Sequence, residues 1–460
     1  MTGPGPPPTS AINDPDLLRD FQHVWHPCTP LSDLENYPLL NIERADGVYL
    51  YDKNGGRYLD VIASWWVNLL GHNHPRLKAA LTTQLEKMAH VMFAGITHEP
   101  AIELAERLTA LTPDNLTRVF FSDNGSTSVE IALKISLQYW QQTGRPEKKR
   151  FVYLKDGYHG ETLGALSVCG LPLFREKFDP VLMDNLEVAG PDCLRCPFGL
   201  KRDSCNAECF QPMQETLAQH TEAIAAVIVE PLVQGAGGMK MYPPVYLKKL
   251  EAACRELKIH TIYDEVAVGF YRTGSRFVCA GHGLSPTFLC LSKGITSGTL
   301  PLAATLTEEA VYDVFKGEFQ QFNWFVHSHS YSANPLACAV ANETLTLLEE
   351  PGFSEVLAQK AETMRRAGAV LEELPWCAEY RQTGMIGALE LVRDRENLTP
   401  FPLERRVGFR IYQAALKREL FLRPLGNVMY FMPPYAVTDE EIKWIIEQAA
   451  EAVGDVLGKE

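Results

Sequence analysis

Apolar residues in this chain change their spacing several times, and the changes mark its elements. Residues 14–25 carry apolar positions at helical spacing and end at a His-Pro pair, which predicts a helix. VYLYDKNGGRYLD (48–60) alternates apolar and polar residues around Asn-Gly-Gly, the signature of a hairpin. From about residue 75 to 340 short apolar runs alternate with helical stretches. RVFFSD (118–123), AAVIVE (225–230), HTIYDE (260–265) and FLCLS (288–292) are nearly continuous apolar runs that end in polar residues. Such runs fit strands of a parallel sheet covered on both faces. Between them, 75–88, 99–111, 126–142 and 245–257 read as helices. The expected fold class is therefore α/β, a mostly parallel sheet flanked by helices.

One long helical stretch is predicted from 339 to about 374. The remainder mixes short strands and helices, as a smaller α+β domain joined by the N-terminal segment. The expected division is a disordered Pro/Gly tail over 1–14, an N-terminal part of the small domain over 15–70, a large domain over 71–338 and a C-terminal small domain over 339–460. Residues 180–212 lack periodicity and read as a long loop.

Composition narrows the classes. The chain has 460 residues, 46% hydrophobic and 22% charged, with a formal net charge of −14. An acidic chain without Lys/Arg clusters is a poor ligand for nucleic acid or anionic membrane. No apolar run approaches the roughly 18 residues of a membrane span, and the first ten residues carry no secretory signal. The expected compartment is the cytosol, and the expected partners are small molecules.

Chemistry concentrates at strand ends. IYDEVAVGFYRTG (262–274) and LCLSKGITSGTLPLAATL (289–306) each begin as an apolar strand and reach an ionisable residue, Asp264 and Lys293. Ligands of open α/β sheets sit at the carboxyl ends of strands. A carboxylate and an amine in one crevice suit pyridoxal phosphate (PLP): the lysine bonds the cofactor aldehyde, and the aspartate pairs with the protonated ring nitrogen. Either residue alone reads more readily as a surface lysine or a helix cap, and only the pair at two strand ends reverses that. FFSDNGSTSVEIALK (120–134) adds a strand, a tight turn and a helix, with Gly125 and Ser126 at a helix start that suits a phosphate. LKDGYHGETLGALSV (154–168) offers Tyr158 to stack on a flat ring. In HSHSYSANPLACA (327–339), Ser330 reads as a phosphate donor rather than the two histidines as a metal site.

These blocks resemble class III, fold-type I PLP aminotransferases. SWWVNLLGHNHP (64–75), HVMFAGITHEPAIEL (90–104), AAVIVEPLVQGAGGM (225–239) and LRPLGNVMYFMPPY (422–435) resemble the subgroup that aminates 8-amino-7-oxononanoate on the biotin pathway. The resemblance spans about 25–435. It implies a large and a small domain, PLP as cofactor, ping-pong transamination and a homodimer with its sites at the subunit interface. It implies Lys293 as the catalytic lysine and Asp264 as the ring-nitrogen partner. Gly125, Ser126 and Tyr158 would hold the cofactor, and Ser330 would reach it from the neighbouring subunit. Trp65 would be a substrate wall, Arg423 the carboxylate anchor and Tyr430 a further substrate contact.

Two departures bear on the reading. Cys28 stands where many members carry a tyrosine beside the donor pocket, and Ser328 lies in HSHSY where many carry Gly-Pro-Thr. The usual donor is S-adenosylmethionine, and these changes admit lysine. Cys193, Cys196, Cys205 and Cys209 form a CxxC and a CxxxC pair. They read either as a zinc site or as free thiols or one disulfide in a loop. The competing functions are another class III ω-aminotransferase acting on a diamine or ω-amino acid, and a metal-binding scaffold on an inactive aminotransferase fold.

Overall fold

The computed structural model describes residues 14–37 and 39–458. Most of the expected tail, residues 1–13, lies outside the described residues. Asp14 is no part of a tail: its carboxylate caps the helix Pro15–His23 by accepting the Asp16 N–H.

The large sheet has seven strands. Their spatial order is Leu116–Ser122, Ala303–Glu308, Phe288–Leu291, His260–Asp264, Ile224–Val229, Arg150–Leu154 and Leu186–Val188. All pairings are parallel except those of Ala303–Glu308, which runs antiparallel to both neighbours. Every residue of Ile224–Val229 and His260–Asp264 is buried, as expected for central strands covered on both faces.

The predicted hairpin forms Tyr49–Asp52 and Arg57–Asp60, paired antiparallel. Arg57–Asp60 also pairs parallel with Leu420–Phe421, so the N-terminal segment shares a sheet with the C-terminal part. A further sheet joins Cys377–Thr383, Ile386–Asp394, Thr399–Pro400 and Val428–Phe431.

The single long helix expected over 339–374 is two helices, Pro335–Leu348 and Phe353–Glu372. Pro351 cannot donate a helical hydrogen bond, and Gly352 takes φ +84°, a left-handed value that a glycine adopts without a Cβ clash. Within 180–212, residues 189–207 have no helix or strand. Among the described residues no helix is long and apolar enough to cross a membrane.

Candidate active site

His260–Asp264 and Phe288–Leu291 lie side by side and parallel, so both end at the same edge of the sheet. That edge opens into a cavity of about 590 Å³, whose lining includes both Asp264 and Lys293. Asp264 is buried. Its Oδ2 accepts from His159 Nδ1 at 2.8 Å, and its Oδ1 accepts the Val266 N–H at 3.1 Å. A carboxylate offers about four acceptor positions, so this one keeps capacity for a further donor.

Lys293 follows its strand by two residues and takes φ +46°. The left-handed region costs a side chain with a Cβ roughly 1–2 kcal/mol. Such strain is found where a side chain must be aimed. The Lys293 ammonium lies 4.5 Å from the centre of the Trp66 ring. Burial lowers its pKa, and the nearby Asp264 and Glu230 carboxylates oppose that shift.

The helix Gly125–Gln142 points its N-terminus at the same cavity. Asn124 caps it, with Thr127 completing a reciprocal capping box. Ser126 Oγ pairs with Thr162 Oγ1 at 2.8 Å. A Cβ on Gly125 would stand 2.6 Å from Val266 Cγ1, and one on Gly160 would stand 2.3 Å from Ser126 Oγ. Both glycines are required for this close packing. The result is a cup of backbone N–H groups and hydroxyls at a positive helix end, which fits a phosphate.

Tyr158 lines the cavity. Its hydroxyl donates to Glu161 Oε1 at 2.8 Å, and its ring meets Phe174 at 5.1 Å. Cys28 and Trp65 lie toward the rim. Burial raises the Cys28 thiol pKa, and the Glu161 charge adds to that. Arg423 stacks on Trp65, its guanidinium carbon 4.5 Å from the ring centre, and donates to the Cys28 carbonyl at 3.3 Å.

Four sequence-selected residues lie outside the cavity lining, among them Arg423, which reaches the site only through its stack on Trp65. Tyr430 is buried behind Trp66, with ring centres 5.9 Å apart, and is not part of the cavity lining. Ser328 and Ser330 are exposed and line no part of this chain's cavity. Their neighbour His329 pairs with Asp123, a cavity residue, at 2.8 Å, which keeps the segment near the phosphate cup.

Glu230 carries no role in the sequence reading, although it ends the strand next to that of Asp264. It accepts the Tyr158 N–H at 2.9 Å and the Gly235 N–H at 2.8 Å. Burial pushes its pKa up to about 7, with the charge of Asp264 adding and that of His159 opposing. His159 was equally unmarked: its strand-end turn was visible, its partner Asp264, 105 residues away, was not.

The four loop cysteines are half-buried and unpaired. Among the described residues no three His, Cys, Asp or Glu side chains are grouped to hold a metal ion.

A carboxylate fixed by histidine, a desolvated lysine and a phosphate cup at one sheet edge fit the ring nitrogen, aldehyde and phosphate of pyridoxal phosphate. The sequence profile described as aminotransferase class-III matches residues 32–453, and the chain belongs to that family. It is a PLP-dependent aminotransferase. Among its relatives, the adenosylmethionine-8-amino-7-oxononanoate aminotransferase of Geobacter sulfurreducens is 42% identical over 450 residues, covering 97% of this chain and 99% of that one. The crystal structure of the enzyme of that name from Methanocaldococcus jannaschii superposes with a TM-score of 0.91 at 35% identity, covering 96% of this chain and 100% of that one. A PLP-bound amine transaminase from an uncultivated Pseudomonas species gives 0.89 at 33%, covering 94% and 99%.

Proposed function

We propose that the chain transfers an amino group from S-adenosylmethionine to 8-amino-7-oxononanoate, forming 7,8-diaminononanoate for biotin synthesis. The observation that carries this reading is the Trp65–Arg423 stack at the cavity rim. It offers an apolar face beside a guanidinium, as a long aliphatic keto acid requires. The names of the relatives support the same substrate.

Bound pyridoxal phosphate supplies the carbonyl that receives the amino group and the electron sink that makes the donor's α-hydrogen acidic. Lys293 would hold the cofactor, and its amine, once released, would carry a proton from the donor's α-carbon. Its lowered pKa favours the neutral, proton-accepting amine. Asp264, oriented by His159, would pair with the ring nitrogen. Gly125 and Ser126 would hold the phosphate, and Tyr158 would lie against the ring. Trp65 guides the aliphatic chain, and Arg423 grips its carboxylate.

The reading includes a homodimer in the cytosol, with Ser330 of each chain completing the phosphate site of the other. Its support is an exposed apolar run beside that serine: Phe319, Phe322, Val326 and Tyr331 are each more than 60% exposed in a single chain. We assign 15–70 and 339–460 to a small domain and 71–338 to a large one, on the strand pairing that joins Arg57–Asp60 to Leu420–Phe421. Lysine is the second donor reading, favoured by Cys28, which lines the cavity without a tyrosine hydroxyl.

The test is a visible absorbance spectrum of the purified holoenzyme before and after S-adenosylmethionine or lysine, each added separately. The true donor bleaches the cofactor band, and 8-amino-7-oxononanoate then restores it with formation of the diamine. If neither donor bleaches the band, or if Arg423→Ala leaves the keto-acid KM unchanged, the reading falls in favour of another ω-amine substrate.

A further inference from the structure

Both active-site tryptophans stand on an unusual piece of backbone. Ala63, Ser64, Trp65 and Trp66 have φ of 47°, 45°, 71° and 74°, four consecutive left-handed residues without a glycine. The ψ values of Ser64 and Trp65, 54° and 45°, complete a left-handed turn. Its hydrogen bonds include Trp66 N–H to the Ile62 carbonyl at 2.8 Å and Val67 N–H to the Ala63 carbonyl at 3.0 Å. Residues with a Cβ visit this region singly, because the Cβ crowds the following carbonyl. A run of four needs an external restraint.

That restraint is a buried carboxylate. Asp60 is fully buried, and its Oδ2 accepts from Ser64 Oγ at 2.7 Å and from His72 Nε2 at 2.9 Å. Asn68 Nδ2 lies 2.8 Å from His72 Nδ1. An amide nitrogen can only donate there, which leaves Nε2 of a neutral ring to carry the proton toward Asp60. The side chains of Asp60, Ser64, Asn68 and His72 thus close around the turn from both ends.

The turn connects the two halves of the cavity. Trp66 packs under Lys293, while Trp65 stands against Arg423. Asp60 pairs in register with Phe421, two residues before Arg423. Asp60 therefore holds the tryptophan turn through its carboxylate, while its backbone lies in the strand paired with the one that leads to the anchor arginine.

We propose that Asp60, acting through Ser64 and His72, is a positioning residue that holds the left-handed turn and so sets keto-acid recognition at Trp65 and Arg423. This rests on the substrate reading above. The hydroxyl bond, and not the mere fold of the segment, fixes the placement of Trp65.

Two replacements at one position separate these roles. Ser64→Ala keeps the backbone cost and loses the bond. Ser64→Gly loses the bond and removes the cost, since glycine takes positive φ freely. Holoenzymes of both are compared with the unaltered protein and with Trp65→Phe by melting temperature, near-ultraviolet circular dichroism and steady-state kinetics. Both should lose the dichroism signal that Trp65→Phe identifies. Both should raise the keto-acid KM about tenfold, the cost of one hydrogen bond to a charged acceptor, with the donor KM little changed. Ser64→Gly should do so while melting no lower than the unaltered enzyme. Unaltered keto-acid KM in Ser64→Gly, or equal losses toward both substrates in step with melting temperature, overturns the proposal. If the unaltered enzyme itself does not aminate 8-amino-7-oxononanoate, the substrate reading fails instead. The clamp is then judged by dichroism alone, and an unchanged Trp65 signal in Ser64→Ala overturns it.

Discussion

His159 Nδ1 donates to Asp264 Oδ2 at 2.8 Å, and both side chains are buried. The bond turns one edge of the carboxylate toward the histidine and fixes its orientation. Replacing His159 with Phe removes that donor while filling the space. Cofactor retention should weaken by about tenfold to a hundredfold, the value of a hydrogen bond to a buried charge. Equilibrium dialysis of the cofactor from the variant and the parent measures it. Equal retention would show that Asp264 needs no histidine.

Lys293→Ala should lower turnover by at least about a hundredfold, since the positioned proton-transfer group is gone. It should also prevent borohydride from fixing the cofactor to the chain, as read by the mass of the intact protein. A variant that still carries reduced cofactor would move the attachment to another lysine.

Glu230 makes stability depend on pH. Its pKa rises on folding from an ordinary carboxyl value of 4.5 to about 7, because burial penalises the charge. The folded state thus binds its proton more tightly than the unfolded state does. The contribution is fully present below about pH 4.5 and is lost as pH rises through about 7. Glu265, buried and also pushed up to about 7, adds in the same direction. Glu230→Gln should therefore flatten the fall in stability between pH 5 and 7, by an amount on the order of 3 kcal/mol. Urea unfolding of both proteins at several pH values checks it.

Cys193 should be the slowest of the four loop thiols to react. Burial pushes its pKa up to about 12, with Cys205 and Cys209 adding their charge. Only the thiolate is nucleophilic, so at neutral pH its reactive fraction is very small. Timed maleimide labelling with peptide mass mapping should find Cys193 last. Stoichiometric zinc in the purified protein would reverse the expectation, since bound thiols would all be protected.

Several features were legible because they are local. The run of 225–229 reads as a central strand, since residues apolar at every position need cover on both faces. Lys293 and Asp264 stood out because each ends such a run. The break at Pro351-Gly352 was equally local, and the expectation of one long helix passed over it.

What folding alone decided is which distant residues meet. His159 finds Asp264, Glu230 faces the lysine, and Tyr430 packs behind Trp66, outside the cavity lining. Ala303–Glu308 runs against its neighbours, a direction no periodicity records. The left-handed turn is the sharpest case. Ser-Trp-Trp carries no glycine to announce positive φ, and the carboxylate that holds it acts only once Asp60, Ser64 and His72 are buried together. Side-chain spacing encodes which face of an element is apolar. Hydrogen bonds across the core depend on packing, and only the assembled fold brings their two ends within reach.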